Sequence, residues 1–270
     1  MKLILWKFMY NKELKITKQV AKEAGEFLRK EFLLWKRGNA RYKKHMELVT
    51  WVDEKANKII LSKLKKHFPK YAILSEESGL QDKPSDYSWV VDPLDGTTNF
   101  TIHHPLFATS ISLFYKNEVV MAVSYLPVLK EMYWASKDGG VYKNNEKIHV
   151  SSKSALRESI ISYNHGQGRI NTKKSFRIFE HFQQKALKCR NFHCTSMQTA
   201  MVAAGHIDGY AVSGAKLWDV AAGMLFIKEA GGIVTDWKNK PWTKNSKTIV
   251  ATNKTMHKIY LRELKKLKLA

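Results

Sequence analysis

Two aspartates after an apolar run form the segment of the sequence that is richest in chemistry. Asp92 follows the run, a proline fixes the turn, and Asp95 and Gly96 complete it. Carboxylates held at this spacing can share hard divalent cations, with a main-chain carbonyl between them as a further oxygen ligand. If Gly96 opens a helix at Thr97 and Thr98, the free amides of that helix would point at a bound phosphate. A lone segment of this kind is more often a surface turn, so its partners decide the interpretation.

Four further acids are candidates for metal binding, although each also has an ordinary structural explanation. Glu76 and Glu77 follow a short apolar run, and a glutamate pair in a loop is commonly a solvated surface feature. Asp53 and Asp219 each stand at the predicted start of a helix, where an aspartate is a natural N-cap. No single position is decisive, but together with the aspartate pair they form a candidate metal-binding set.

The elements that must position these acids form an α+β pattern. Apolar residues recur at helical spacing over 16–35, and a second helix is predicted over 53–67 and ends before Pro69. Short strands then follow in runs, without strict alternation with helices. The predicted strands are 72–74, 89–91, 107–114 and 119–125, and the later helices are 173–188, 196–204, 219–230 and 256–269.

A polar stretch over 143–154 predicts a boundary between two halves. Residues 1–150 would form an N-terminal α+β half that carries most of the metal ligands. Residues 151–270 would form a C-terminal α/β half that carries Asp219 and a substrate-reading loop.

The net charge of +22 comes mainly from lysine, which supplies 38 of the 46 basic residues. A basic surface attracts phosphate-bearing partners, including nucleic acid. The even spread of lysine favours a dispersed, solvated surface instead, and the arginine-rich clusters typical of specific nucleic-acid recognition are not found. Nucleic acid is therefore an open but less favoured partner.

The apolar opening of the chain is interrupted by Lys2 and Lys7 and has no small-residue cleavage site, so we expect a cytoplasmic protein without a membrane partner. Only Cys189 and Cys194 occur, too few for a disulfide framework, which fits a reducing compartment. With 270 residues, 44% of them hydrophobic, the chain can bury a sizeable core.

Four segments resemble the inositol monophosphatase family. DPLDGTTNF is similar to the first signature of the family, and WDVAAGMLFIKEAGG is similar to the second. ELVTWVD and ILSEESG are similar to the two family segments that precede the first signature, and all four occur in the family's order. The resemblance extends from about Ile16 onward. It implies the layered αβαβα sandwich of that phosphatase superfamily.

The resemblance also implies a set of metal ligands for Mg²⁺. One ion would be held by Glu76, Asp92 and the carbonyl of Leu94, and a second by Asp92, Asp95 and Asp219. Asp92 would bridge the two ions, and Glu76 would also help to retain a third, more weakly bound ion.

In the family, a threonine backed by an aspartate orients the nucleophilic water, and the matching residues here are Thr97 and Asp53. A metal lowers the pKa of its bound water, and the hydroxyl–carboxylate pair accepts the proton. Thr97, Asp53 and Glu76 are therefore the predicted catalytic residues, with Glu77 in a supporting role.

The predicted substrate-binding residues combine this core with a loop of the second half, which departs from the family pattern. His193 and Cys194 replace the usual Gly-Ser or Gly-Thr pair. Inositol-specific relatives carry a glutamate at the position of Val212 or one residue later, and no carboxylate stands at either position after Tyr210 here. Loose recognition of the alcohol is therefore expected, and Val212→Glu should favour inositol phosphate. The predicted set is Asp95, Gly96, Thr97, Thr98, His193, Cys194, Thr195, Val212 and Asp219.

These residues and the resemblance together imply Mg²⁺-dependent hydrolysis of a small phosphomonoester by metal-activated water. The default is an inositol-phosphate phosphatase acting on inositol 1-phosphate, and the first alternative is a fructose-1,6-bisphosphatase or a broad sugar-phosphate phosphatase. An alternative of another class is a factor that binds RNA or a protein complex and has residual phosphatase activity. The resemblance also implies a homodimer.

Overall fold

The computed structural model describes residues 10–36, 40–42, 48–166 and 168–269. The apolar opening with Lys2 and Lys7, and the first residue of ELVTWVD, lie outside this part of the chain. The first half contains α1 (Asn11–Leu34), β1 (Arg41–Tyr42), β2 (Leu48–Val49), α2 (Trp51–His67), β3 (Ala72–Ser75), β4 (Gly79–Gln81), β5 (Tyr87–Asp95), α3 (Thr97–Thr101), β6 (Ala108–Tyr115), β7 (Glu118–Leu126), β8 (Glu131–Ser136), β9 (Gly140–Lys143) and β10 (Glu146–Lys147).

The second half begins with a short 3₁₀ turn at Leu156–Glu158. It contains β11 (Ile160–His165), α4 (Arg169–Gln183), β12 (Lys188–Arg190), α5 (Thr195–Ala203), β13 (Gly209–Ser213), α6 (Leu217–Glu229), β14 (Ile233–Thr235), β15 (Thr248–Thr252) and α7 (Lys254–Lys266).

Two large sheets and three helical layers alternate in space, and β1 pairs with β2 in a separate two-stranded sheet. An eight-stranded sheet has the order β10-β9-β8-β7-β6-β5-β3-β4, and a five-stranded sheet has the order β12-β11-β13-β15-β14. Helices α1 and α2 cover the outer face of the larger sheet, and α4 and α7 cover the outer face of the smaller one. Helices α5 and α6 lie between the sheets in the largest apolar cluster. The predicted α+β class and the layered αβαβα sandwich are therefore confirmed.

The predicted boundary at residue 150 falls between the segments that build the two sheets. The middle layer, however, comes from the second half and packs against strands of both halves. The two halves thus share a core, and their division into two units stays a prediction.

Long-range pairing sets the strand lengths in the larger sheet. β5 runs from Tyr87 to Asp95 because it pairs with β3 on one side and with β6 on the other, so it is longer than the predicted 89–91. Strands β8, β9 and β10, which were not predicted, extend the sheet through successive hairpins. Local composition carries little information about such pairing.

Helix α2 begins two residues earlier than predicted, because its N-cap is Thr50. The Thr50 hydroxyl accepts hydrogen bonds from the backbone N–H groups of Val52 and Asp53, and the Asp53 carboxylate accepts one from the Thr50 N–H at 2.8 Å. This reciprocal capping box fixes the position of the Asp53 side chain at the start of the helix.

None of the seven described helices combines the length and the apolar character that crossing a bilayer requires. The predicted cytoplasmic location stays a prediction.

A buried acid ties α4 to α7. The Glu263 side chain is 5% exposed and is approached by Lys266 Nζ at 2.6 Å, His181 Nε2 at 2.8 Å and Lys185 Nζ at 3.2 Å. Burial alone would raise the pKa of Glu263, but the hydrogen bonds from Lys266, His181 and Lys185 outweigh it and lower the pKa to about 2. The ionised carboxylate therefore stabilises the packing of these helices.

We expect Glu263→Gln to lower the free energy of unfolding by about 2 kcal/mol at pH 7, the value of a charge-assisted hydrogen bond. Because folding depresses this pKa, the stabilisation is present above the unfolded pKa near 4.5 and is lost as the pH falls toward 2. The difference between wild type and variant in urea unfolding should therefore shrink between pH 5 and pH 3. A constant difference over that range would contradict this role of the charge.

Candidate active site and metal centre

Parallel pairing of β3 with β5 brings the first two acids together. Ser75 is paired with Val91, the last pair between these strands, so the residues that follow on both lie at the same edge of the sheet. Glu76 follows directly, and its backbone N–H donates to the Val91 carbonyl at 3.1 Å. Asp92 follows on the neighbouring strand and is buried. Its position at this edge is thus a direct result of strand register.

Helix α6 contributes the third acid from the other half of the chain. Asp219 lies in the first turn of this helix, which packs between the two sheets. Glu76, Asp92 and Asp219 each offer a carboxylate oxygen, and these oxygens all lie within 4.8 Å of one another. Segments separated by more than a hundred residues thus converge on one point.

Crowding and burial make this cluster unfavourable without a cation. Burial raises the pKa of Asp92 well above its usual value, and the charges of Glu76 and Asp95 raise it further. Burial also raises the pKa of Asp219, again with contributions from Asp95 and Glu76. A bound divalent cation would offset this repulsion, and a donor set made only of oxygens suits Mg²⁺. The residues present therefore fit the implied metal.

Asp95 lies beside the cluster and is held by the N-terminus of α5. Its carboxylate accepts a hydrogen bond from the Ser196 backbone N–H, and the Cys194 thiol lies 3.5 Å from the same oxygen. Burial raises the pKa of Asp95, and the hydrogen bonds from Ser196 partly oppose that effect. Asp95 is not one of the three acids whose oxygens meet within 4.8 Å, although its charge acts on both Asp92 and Asp219.

The predicted water-activating pair is in direct contact. The Thr97 hydroxyl lies 2.9 Å from Asp53 Oδ1 and 3.0 Å from the Leu94 carbonyl oxygen. The other Asp53 oxygen accepts hydrogen bonds from the Thr50 hydroxyl and N–H. Burial raises the pKa of Asp53 to about 6, although the hydrogen bonds from Thr50 and Thr97 act in the opposite direction. A carboxyl with this pKa can exchange a proton near neutral pH.

A left-handed glycine shapes the turn between the acids and α3. Gly96 has φ of 90°, and a Cβ at this position would lie 3.0 Å from the Leu106 carbonyl oxygen. The Asn99 side chain donates to the carbonyls of Leu106 and Phe192 at 2.7 Å each. The first signature is thereby tied to the loop that precedes α5. Helix α3 itself is short, with five residues.

An open cavity of about 380 Å³ lies over these groups. From the predicted set it is lined by Glu76, Asp92, Leu94, Asp95, Gly96, Thr97, Thr98, His193, Thr195 and Asp219.

Two predicted substrate-binding residues lie beneath the cavity instead of on its wall. Cys194 is fully buried, and Val212 on β13 is 3% exposed; both belong to the central apolar cluster. Neither lines the cavity, so the predicted direct contact of these two residues with substrate is not found. Burial also raises the pKa of the Cys194 thiol well above its usual value, which disfavours a thiolate nucleophile.

The structure adds cavity residues that the sequence analysis did not single out. Asn164 and His165 reach the cavity from the end of β11, and the Asn164 side chain donates to the Thr195 hydroxyl at 3.0 Å. Lys216 and Trp218 reach it from the start of α6. For this pair a signal was available, because Trp218 is the first residue of the second signature and Lys216 stands three residues before Asp219.

Comparison with known proteins decides the family. A sequence profile described as "Inositol monophosphatase family" matches residues 9–269, nearly the whole chain. The chain belongs to the inositol monophosphatase family. An inositol-1-monophosphatase of Mesorhizobium japonicum is 32% identical over 255 residues, which cover 94% of this chain and 96% of the relative.

Two further proteins show the range of names found among those similar to this chain. A fructose-1,6-bisphosphatase/inositol-1-monophosphatase of Aquifex aeolicus is 31% identical, with 94% of this chain and 96% of the relative covered. The crystal structure of the extragenic suppressor protein suhB of Bartonella henselae superposes with a TM-score of 0.88 at 32% identity, covering 93% of this chain and 98% of that one. Membership in this family indicates a phosphatase.

Proposed function

We propose that this member of the family is a Mg²⁺-dependent phosphomonoesterase, with inositol 1-phosphate as the default substrate. This proposal rests mainly on Glu76, Asp92 and Asp219, whose carboxylate oxygens lie within 4.8 Å of one another and which line an open cavity. The hydroxyl–carboxylate pair of Thr97 and Asp53 beside this cluster supports hydrolysis over simple metal storage.

The acids and the Leu94 carbonyl would hold the metal ions, with Asp92 central to the set and Asp95 held in place by α5. Mg²⁺ bound there would lower the pKa of a coordinated water and stabilise the negative charge that develops on the leaving oxygen. The chain's own part is to fix the acids after β3, on β5 and at the start of α6, and to enclose the phosphoryl group in the cavity. An in-line displacement at phosphorus requires mainly such positioning.

Thr97 and Asp53 would handle the proton. The Thr97 hydroxyl donates to Asp53 Oδ1, which leaves the hydroxyl oxygen free to accept a hydrogen bond from the attacking water. The proton would pass through the hydroxyl to the Asp53 carboxylate. The Thr50 contacts keep the second carboxylate oxygen fixed during this transfer.

A second candidate substrate class, sugar bisphosphates, is favoured by the charge of the cavity wall. The lining acids are Glu76, Asp92, Asp95 and Asp219, all at the metal end. The other described lining residues include no acid and one lysine, Lys216, whose charge also acts on Asp219. A wall of this kind suits an alcohol that carries a second phosphate better than a neutral polyol, and the name of the Aquifex aeolicus relative includes a fructose-1,6-bisphosphatase.

Lys216→Gln should distinguish the two substrate classes. We expect kcat/KM for fructose 1,6-bisphosphate to fall about tenfold and kcat/KM for inositol 1-phosphate to fall less, because only the first substrate loses an ion pair to a second phosphate, while both lose the Lys216 charge that acts on Asp219. Lys66→Gln, an exposed lysine of α2, is the matched control and should change neither value. Equal losses with both substrates would show that Lys216 does not act on a second phosphate.

The proposed activity is tested by phosphate release from a panel that includes inositol 1-phosphate, fructose 1,6-bisphosphate, other sugar phosphates and a nucleoside monophosphate, with Mg²⁺ present. We expect several sugar and inositol phosphates to be hydrolysed, since no carboxylate at the alcohol end selects for a polyol. No phosphate release from any member of the panel would contradict the proposal.

A further inference from the structure

A second cavity, of about 740 Å³, lies between α7 and the turn that follows β14, and it shares no lining residue with the active site. It is formed by two kinds of side chain. The apolar ones are Trp237, Leu261, Leu264 and Leu269, and the polar ones are Lys238, Asn239, Lys258, Arg262, Lys265 and Lys268.

The floor and one wall of this cavity are fixed by hydrogen bonds. The Trp237 indole N–H donates to the Ile249 carbonyl at 3.1 Å, which holds the ring against the smaller sheet. The Asp236 carboxylate accepts from the backbone N–H groups of Lys238 and Lys240 at 2.9 and 2.8 Å, which fixes the turn. A ligand would therefore meet a preformed cavity and would lose little free energy in ordering it.

The rim carries five positive charges and, among the described lining residues, no acid. Arg262 lies 3.7 Å from Glu263, whereas the four rim lysines form no ion pair with any described residue. The alkyl stems of such side chains add to the apolar lining while their charged ends remain at the opening. An apolar floor below a ring of cations complements a molecule with an apolar body and an anionic end.

We propose that this cavity binds a single-chain anionic amphiphile, with its alkyl chain on Trp237 and the leucines and its carboxylate or phosphate head among the rim cations. The cavity volume lies within the range of about 300–1,000 Å³ typical of small-molecule sites. A membrane surface would call for protruding apolar groups, and the phosphate backbone of a nucleic acid would need the rim cations but no apolar floor. Here Trp237 is only 7% exposed, and Leu264 and Leu269 are 3% and 6% exposed, so the apolar surface lies at the bottom of a concavity.

The test is calorimetric titration of the full chain with laurate below its micellar concentration. Butyrate, which has the same head without the chain, and octyl glucoside, which has a chain without charge, are the matched ligands. Lys258→Glu/Lys265→Glu reverses two rim charges, and Lys65→Glu/Lys66→Glu makes the same change of net charge on the exposed surface of α2. Phosphatase activity and the unfolding temperature report whether each variant is folded.

We expect one equivalent of laurate to bind, and we expect butyrate and octyl glucoside to bind at least about tenfold more weakly, a difference of 1.4 kcal/mol or more. The rim variant should lose about tenfold in laurate affinity, and the α2 variant should keep the wild-type value. Equal binding of butyrate would show attraction of charge alone, and an equal loss in the α2 variant would show an effect of net charge; either result overturns the proposal. Binding to vesicles containing phosphatidylglycerol that free laurate does not displace would assign this surface to a membrane and would overturn it as well.

Discussion

Asp219→Asn and Asp95→Asn should each lower kcat by about 10²–10³-fold at saturating Mg²⁺. This loss is comparable to that caused by removing a key group that stabilises charge in the transition state. Asp219 is one of the three acids that meet within 4.8 Å, and Asp95 is held beside them by Ser196. The amide keeps the shape of each side chain but removes a negative charge that the metal ions require. Kinetics over a Mg²⁺ titration measure the effect.

The fold should survive these substitutions, and its stability without metal should even rise. Burial raises the pKa values of both acids, and the charges of Asp95 and Glu76 raise that of Asp219 further, so a neutral amide removes the cost of a buried charge in the apo protein. Asp208→Asn is the matched control, because Asp208 is buried but binds the Ser151 hydroxyl and the Ile160 N–H away from the cluster. It should lower stability and leave kcat unchanged. Retained activity in Asp219→Asn would contradict the proposed metal set.

Thr97→Ala and Asp53→Asn should each lower kcat by about 10²–10³-fold, and the double variant should be no slower than the slower single variant. The reason is the 2.9 Å contact through which both groups handle one proton. If the two losses multiply in the double variant, the residues act independently and this role of the pair is wrong.

Two controls separate this chemistry from the structural role of Asp53. Thr97→Ser keeps a hydroxyl at the same position and should retain much of the activity. Thr50→Ala breaks the capping box but leaves the Thr97–Asp53 contact, so it should cost about 1 kcal/mol of stability with a smaller loss of kcat. A loss in Thr50→Ala as large as that in Asp53→Asn would assign Asp53 to helix capping.

The sequence was sufficient for those parts of the site that depend on local signals. Asp92 and Asp95 lie at the end of β5, Gly96 follows directly, and Asp219 lies in the first turn of α6; local signals placed these residues, and the resemblance to the family grouped them as predicted metal ligands. Most predicted helix and strand positions agree with the structure to within a few residues, since amphipathic spacing and turn residues are local properties.

The alcohol side of the cavity was harder to predict because it depends on strand pairing between distant segments. Parallel pairing of β11 with β13 sets Asn164 opposite Val212, and only the structure shows that Asn164 lines the cavity whereas Val212 is buried in the core. A residue can occupy a position of the family's motif although its side chain is buried beneath the wall of the active-site cavity. The sequence-based expectation for Val212→Glu must therefore be revised: a buried glutamate without a partner would lower stability before it could affect specificity.

Removal and return of Mg²⁺ show whether the clustered acids hold a metal ion that hydrolysis requires. Phosphate release from inositol 1-phosphate and fructose 1,6-bisphosphate should be followed in the wild-type protein after treatment with EDTA, and again after addition of excess Mg²⁺, with Asp219→Asn in parallel. We expect activity to disappear with the chelator, to return with Mg²⁺ in the wild type, and to stay low in Asp219→Asn at every Mg²⁺ concentration. Full turnover of either substrate by the EDTA-treated wild-type protein would contradict the account.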